Sequence, residues 1–297
     1  MLDFKEIKLS DKKWIDELLG ISDFMGCEYT FANNLAWRRL SNSKIARYKD
    51  FYIVGAVDGD EKFFTYPAGK GDIFELIKEL DEFVGDKNLV MTSLTKENLE
   101  IFKQHYGDRI TVEADEGHFD YIYNADDLKN LSGKKFHGKR NHIRRFKENN
   151  NWEFKVLTED MFEECIRFSA LSYNNNNDYD DHSAVCEQFA IHTFFENYRI
   201  LGLKGGVLLV DDEIVGFTIG EKLNSETFVV HIEKARGEIQ GAYPTLCNEF
   251  AKTIDDEIKY INREEDLGIE GLRKSKKSYN PAFLLEKYTV IFDNKKG

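Results

Sequence analysis

The stretch KYINREEDLGIEGLRKSKKSYNPAFLLEKY, residues 259–288, decides how the chain is read. Tyr260-Ile261-Asn262 has the apolar–polar alternation of a short strand. Four charges follow, Arg263-Glu264-Glu265-Asp266, and then Gly268 and Gly271. The basic residues Arg273, Lys274, Lys276 and Lys277 lead into Ser278-Tyr279-Asn280-Pro281, and a second strand-like run covers 283–292. A strand feeding a polar, glycine-hinged loop with both signs of charge is a common way to build a site at the end of a sheet. The same pattern describes a solvated surface loop, and pattern alone does not separate the two.

Working outward, 152–157 reads as a strand, and 158–173 and 181–197 as helices joined by an Asn-rich turn at 174–177. A hairpin about Asp211-Asp212 joins 206–210 to 213–223. A third strand at 227–234, a glycine-bearing loop at 235–241 and a helix at 243–258 complete this half. The first half has the same order. It opens with a strand-like run at 3–9, a helix from Asp11 and a helix at 28–39. Strand signals at 50–57 and 62–66 precede the loop Pro67-Ala68-Gly69-Lys70-Gly71-Asp72. An amphipathic helix with Ile73, Leu76, Ile77 and Leu80, a strand at 88–94, a helix at 96–106 and strand signals at 109–123 follow. The repeat predicts an α+β fold of duplicated architecture, two mixed sheets flanked by helices. The halves are 1–131 and 132–297, the second opening with a linking basic helix at 132–150.

Bulk properties bound the function. The 297 residues are 41% hydrophobic and 13% aromatic, ample for two packed cores. Three prolines and no Ser/Gly-rich tract argue against a long flexible linker. The N-terminal residues lack a basic-then-apolar signal, and no apolar run approaches the ~18–20 residues of a membrane span. Cys27, Cys165, Cys186 and Cys247 are scattered, and the seven histidines form no HxxxH pattern, so reduced thiols, a cytoplasmic setting and no metal are expected. A net charge of −13 opposes a broad nucleic-acid surface. Locally the sign reverses: KKFHGKRNHIRRFK, residues 134–147, carries seven Lys/Arg, two His and no acid.

Several pieces can carry chemistry. A glycine loop before a helix offers free N–H groups to a phosphate. The loop at 69–72 and Gln240-Gly241-Ala242 both qualify, though each also fits an ordinary turn. His231 and Glu233 alternate along one strand, a spacing expected to put both on one face as a general base and its orienting partner, or as a simple hydrogen-bonded pair. Tyr279 can donate a proton to a leaving group or simply pack. Lys139, Arg140 and Arg144 of the basic helix can grip a phosphate backbone or an anionic headgroup, or neutralise the protein's own acids.

Three motifs together resemble an uncharacterised bacterial family grouped with the C-terminal domain of phosphatidylglycerol lysyltransferase. They are NREEDLGIEGLRKSKKSYNP with a following KY, GKKFHGKRNHIRRF, and GVLLVDDEIVGFTIGE with VHIEKA…GAYP. The resemblance covers about residues 22–288. It implies a tandem GNAT fold, two acyltransferase-like halves, and transfer of an aminoacyl group from a charged tRNA to an amine or hydroxyl. Acetyl-CoA enzymes of that superfamily use an Arg/Gln-x-x-Gly-x-Gly/Ala loop, which Gly237 to Ala242 approximates.

The expected activity is therefore acyl or aminoacyl transfer, with aminoacyl-tRNA or acyl-CoA as donor and a small molecule or lipid headgroup as acceptor. His231 or Glu233 is the candidate base, and strand-end N–H groups steady the oxyanion. Asn262, Glu265, Asp266, Arg273 and Lys274 orient the substrates, Asp266 and Tyr279 being counted with the catalytic groups. The basic helix holds the donor phosphates. A binding module without turnover is the rival reading, and CoA-dependent acetylation of a small molecule a third.

Overall fold

The computed structural model describes residues 2–59, 61–174 and 181–293. The chain divides into two compact units, the first made of Met1–Asp120, Glu265–Gly268 and Leu285–Gly297, the second of Tyr121–Glu264 and Ile269–Leu284. Neither is contiguous, so the units divide elsewhere than between 131 and 132.

The first unit holds helices α1 (Lys12–Ser22), α2 (Phe31–Ala36), α3 (Ile73–Val84) and α4 (Lys96–Tyr106). Its strands are β1 (Ser43–Tyr48), β2 (Phe51–Ala56), β3 (Phe63–Thr65), β4 (Ala68–Gly69), β5 (Leu89–Leu94), β6 (Ile110–Ala114) and β14 (Tyr288–Phe292). They form one sheet in the order β1-β2-β3-β5-β14-β6, with β4 paired to β2. Only β3 and β5 run parallel among the registered pairs, and α3 lies in their crossover. The apolar stripe of α3, Leu76, Ile77, Leu80 and Val84, packs with Leu99 and Phe102 of α4 against Phe64, Met91 and Val290. Asp72 caps α3, its carboxylate accepting the N–H groups of Phe74 and Glu75 at 2.9 and 3.2 Å. Gly69 has φ +118, and a Cβ there would lie 1.9 Å from the Asp50 carbonyl. Close backbone approach thus accounts for this glycine.

The second unit holds α5 (Ala125–Asn130), α6 (His137–Asn149), α7 (Phe162–Asn174), α8 (Asp181–Glu196), α9 (Tyr198–Leu201), α10 (Ala242–Ala251) and α11 (Glu270–Lys277). Its strands are β7 (Asp120–Asn124), β8 (Trp152–Val156), β9 (Lys204–Val210), β10 (Glu213–Lys222), β11 (Thr227–Ala235), β12 (Tyr260–Asn262) and β13 (Phe283–Leu285). The sheet order is β13-β7-β12-β11-β10-β9-β8. Here too one registered pair is parallel, β11 with β12, and α10 lies in its crossover. Each unit is therefore a mixed sheet flanked by helices, the duplicated α+β architecture that was expected.

Two details depart from the sequence reading. The run 283–292 is not one strand, because β13 joins the second sheet and β14 the first. Likewise β7, next in the chain after β6, pairs with β12 of the second sheet. Each sheet thus takes in a strand that the chain order alone assigns to the other half. In addition, 28–39 forms a single 3-10 turn at Cys27–Tyr29 followed by the short α2, and 3–9 contributes an isolated bridge from Lys5 to Ile45. The Asn-rich turn falls largely at 175–177, outside the described residues.

Within the first unit Lys287, just before β14, is buried among carboxylates. Its ammonium lies 2.7 Å from both Glu28 Oε2 and Asp120 Oδ1 and 3.6 Å from Cys27 Sγ. Burial opposes its charge, but Asp120, Cys27 and Glu28 outweigh burial and hold its pKa well above the ordinary range. Removing one partner from a buried pair leaves the other charge uncompensated. Lys287→Met is expected to destabilise the first unit by about 3–5 kcal/mol. A Trp152→Phe background leaves Trp14 and Trp37, both in that unit, to report its denaturant midpoint. An unchanged midpoint would show that Lys287 does not anchor β14.

Candidate functional site

In the second unit β11 and β12 pair for three residues, Thr227–Val229 against Tyr260–Asn262, and then part. Beyond that point the chain after β12 stays with β7, since Arg263 N–H donates to the Tyr121 carbonyl and Tyr121 N–H to that of Glu264. The last six residues of β11 therefore border a fork. Two side-chain ties cross it, one on each face of the sheet.

On the α10 side, Arg263 Nη2 donates to Glu233 Oε1 at 2.6 Å, with side-chain exposures of 9% and 12%. The guanidinium carbon lies 4.6 Å from the Tyr279 ring and 5.5 Å from the Tyr123 ring, and Nη1 has no hydrogen-bond partner among the described residues. Lys139 reaches in from α6 and sets its ammonium 3.5 Å from the centre of the Tyr279 ring. Burial, and then the neighbouring Arg263 charge, lower its pKa to about 8. Tyr279 is buried, and burial raises its pKa well above the ordinary value, so its hydroxyl keeps its proton and is a poor acid. Burial also pushes the Cys247 thiol beside it up to about 12. Lys276, also buried, donates to the Arg263 carbonyl at 2.6 Å, and Tyr123 donates to the Lys276 carbonyl at 2.9 Å.

On the α8 side lies His231. Its Nδ1 is 2.9 Å from Glu264 Oε1, its Nε2 is 2.9 Å from Glu221 Oε1, and its ring stacks on Phe194 with centroids 5.2 Å apart. Burial disfavours the charge, but the two carboxylate bonds outweigh it and raise the pKa to about 9. An imidazolium with both N–H groups engaged has no lone pair with which to accept a proton. The alternation that would put His231 and Glu233 on one face is broken by a bulge. Ile232 pairs with Ile219 and Val230 with Gly220, leaving His231 as the extra residue. His231 therefore faces α8 together with Lys234, which pairs with Glu187 at 2.8 Å, whereas Glu233 turns to the other face.

The fork thus brings together Glu233, Tyr279 and Lys139 of the expected residues, with the Asn262 backbone at its apex. Asn262 is itself fully buried, and its side chain accepts the Glu264 N–H at 2.7 Å. That turn carries Glu264 at φ +55. Glu265 and Asp266 belong to the first unit: Glu265 lies 3.5 Å from His118, and buried Asp266 accepts the Gly268 N–H at 2.8 Å. Arg273 is half-buried and Lys274 exposed on α11, while Arg140 and Arg144 are exposed on α6. Arg263, Tyr123, Cys247 and Lys276 complete the cluster and were not singled out. Arg263, the first charge after a strand, was the legible signal among them.

The loop before α10 is tightly covered. A Cβ on Gly241, which has φ +89, would lie 2.5 Å from the His142 carbonyl and 2.9 Å from Phe146 Cβ, both on α6. Ala242 is wholly buried, exposed Gln240 precedes it, and Pro244 removes one N–H from the first turn. These residues fit a CoA pyrophosphate poorly. Cys27, Glu28 and Asp120 have metal-ligand chemistry within 4.8 Å of one another, but the Lys287 ammonium already supplies their cation.

His231 makes a pH prediction. Its folded pKa is raised, so its stabilisation is complete below about 6.5 and is lost as pH rises through about 9. Lys139 acts oppositely, its lowered pKa adding stability from about 8 up to its unfolded value. Between pH 6.5 and 8 Lys139 adds little, and loss of the His231 contribution should lower stability by about 2 kcal/mol, with a further loss of the same sign from His118, whose pKa Glu265 raises. Denaturation of His231→Asn followed by circular dichroism should lose most of that slope, keeping the His118 part. A slope equal to that of the parent protein would remove the assignment.

A family model described as the C-terminal part of phosphatidylglycerol lysyltransferase matches residues 20–291. A conserved protein of unknown function from Bacteroides thetaiotaomicron is 37% identical, with 98% of this chain and 100% of that one covered and a TM-score of 0.93. L-PGS from Bacillus licheniformis shares the fold, with a TM-score of 0.67 at 14% identity over 95% of this chain and 91% of that one. An uncharacterised protein of Mycoplasmoides gallisepticum is 26% identical over 232 residues, 76% of this chain and 72% of that protein.

Proposed function

The chain belongs to the family of the phosphatidylglycerol lysyltransferase C-terminal domain, and from that premise we propose that it transfers an aminoacyl group from a charged tRNA to an amine or hydroxyl acceptor. The observation that carries the reading is the Lys139 amine, partly buried over Tyr279 and lowered to about pKa 8. At neutral pH a useful fraction of it is unprotonated, which suits a general base. His231 donates to two carboxylates and Glu233 is held by Arg263, so neither is as free to take a proton.

In the proposed step the acceptor nitrogen or oxygen attacks the ester carbonyl and passes its proton to Lys139 Nζ. The C–O bond to the ribose then breaks, and the same proton goes to the departing oxygen. Arg263, with one guanidinium nitrogen unpaired among the described residues, places positive charge beside the developing oxyanion. The covered loop before α10 supports a tRNA ester over acyl-CoA as donor, and the basic residues of α6 suit its phosphates. No helix among the described residues is long and apolar enough to cross a membrane.

A second reading, a tRNA-binding module without turnover, is favoured by the way Arg263 and two tyrosine rings fill the fork. Incubation with a bulk charged tRNA pool and an amine acceptor separates the two. Transfer is expected to rise with pH through about 8. Lys139→Met should lower the rate about 100-fold or more and flatten that profile, while filter binding of the tRNA persists. Binding without transfer in the parent protein would select the module, and no binding at low salt would remove tRNA altogether.

A further inference from the structure

We propose that the groove between the end of α5, α6 and α10 binds a phosphate-bearing ligand of nucleotide size. The proposal deepens the aminoacyl-tRNA reading, on which it rests for the ligand's source but not for the groove's chemistry.

The groove is shallow and open to solvent, with a volume of about 580 Å³, within the range of roughly 300–1,000 Å³ typical of small-molecule sites. Lys129, Arg140, Arg144, Lys147 and Lys252 line it, with Glu148 as the lining acid. Three of these cations have partners: Lys129 pairs with Asp256 at 2.9 Å, and Lys147 and Lys252 share Glu249 at 2.6 and 2.9 Å. Counting those acids, five cations face three carboxylates, an excess of two in a chain whose net charge is −13. A phosphate monoester carries about 1.5–2 negative charges at neutral pH, and two neighbouring phosphodiesters of a tRNA strand carry about two. Local charge and ligand charge therefore match, against the sign of the whole molecule.

The two arginines have different tasks. Arg140 donates to the carbonyls of Leu131 and Gly133, closing the end of α5 and fixing one wall. Arg144, one turn further along α6, makes no ion pair or hydrogen bond among the described residues, so its guanidinium is available for bidentate contact with phosphate. The floor is different in kind. Leu131 and Ile143 are buried and apolar there. Asn248 beside them spends its amide N–H groups on the Leu128 and Lys129 carbonyls. An apolar floor under a cationic rim suits a flat base or sugar below and a phosphate above.

Calorimetric titration of the full chain with 5′-AMP and with uncharged tRNA, at 50 and 200 mM salt, tests the groove. Arg144→Glu and Arg144→Gln are compared with Lys155→Glu, an equal charge reversal to Arg144→Glu at a half-exposed site on β8. The groove predicts that 5′-AMP binds, that Arg144→Glu weakens it at least tenfold, that Arg144→Gln weakens it less, and that Lys155→Glu changes it under twofold. Equal losses for Arg144→Glu and Lys155→Glu, or no binding of either probe at 50 mM salt, would overturn it. Binding of 5′-AMP without tRNA keeps the groove and removes the aminoacyl-tRNA reading. Binding of tRNA that Arg144→Glu leaves unchanged removes the groove and keeps that reading.

Discussion

The ion pair of Arg263 with Glu233 is the constraint on which the second unit's fork depends. Two parallel strands that part after three paired residues leave a wedge, and here two charged side chains tie its edges at 2.6 Å. Taking both charges out of water costs several kcal/mol each, and their attraction repays that when the geometry is good. The pair is therefore better understood as fixing position than as adding stability. Arg263 is held against two tyrosine rings, and its fixed charge helps lower the pKa of Lys139. Glu233 positions Arg263, and Arg263 tunes the lysine.

The sheet keeps a second charge system apart from the first. One extra residue in β11 turns His231 toward α8, where two carboxylates and the Phe194 ring receive it. The histidine becomes a fixed cation tying β10, β11 and the chain after β12. Without the bulge it would share the face of Glu233 and bring a second ionisable group next to Lys139. A local irregularity of one residue thus separates the His231 charge from the Glu233–Arg263 pair.

Much of this was legible from the chain. Alternation and helical periodicity gave the duplicated order, because strands and amphipathic helices bury one face each and must repeat at fixed spacing. Which sheet a strand joins is a long-range matter, so neither β7 nor β14 carries a local mark of its partner. The bulge was invisible for a similar reason: His231 reads as one more alternating position until its neighbour's register is known. Lys139 stood out as a cation of a basic helix. Its partial burial over Tyr279 depends on a contact 140 residues away in sequence, which no local pattern encodes.

Lys139 and Lys287, both largely covered, show how each unit sets the charge of a lysine differently. Burial disfavours the charged form of both. Lys287 in the first unit has two carboxylates at 2.7 Å, so its pKa rises and it remains a fixed cation at any physiological pH. Lys139 in the second has an arginine for its main charged neighbour, so its pKa falls to about 8 and it can exchange a proton near neutrality. In the first unit the end of the parallel pair β3–β5 is bridged differently. The Tyr29 hydroxyl lies 3.0 Å from the Tyr66 carbonyl and 3.4 Å from that of Ser93, the residues just past β3 and near the end of β5. Burial holds that hydroxyl protonated. That bridge does not titrate near neutral pH, whereas Lys139 beside the second unit's fork does.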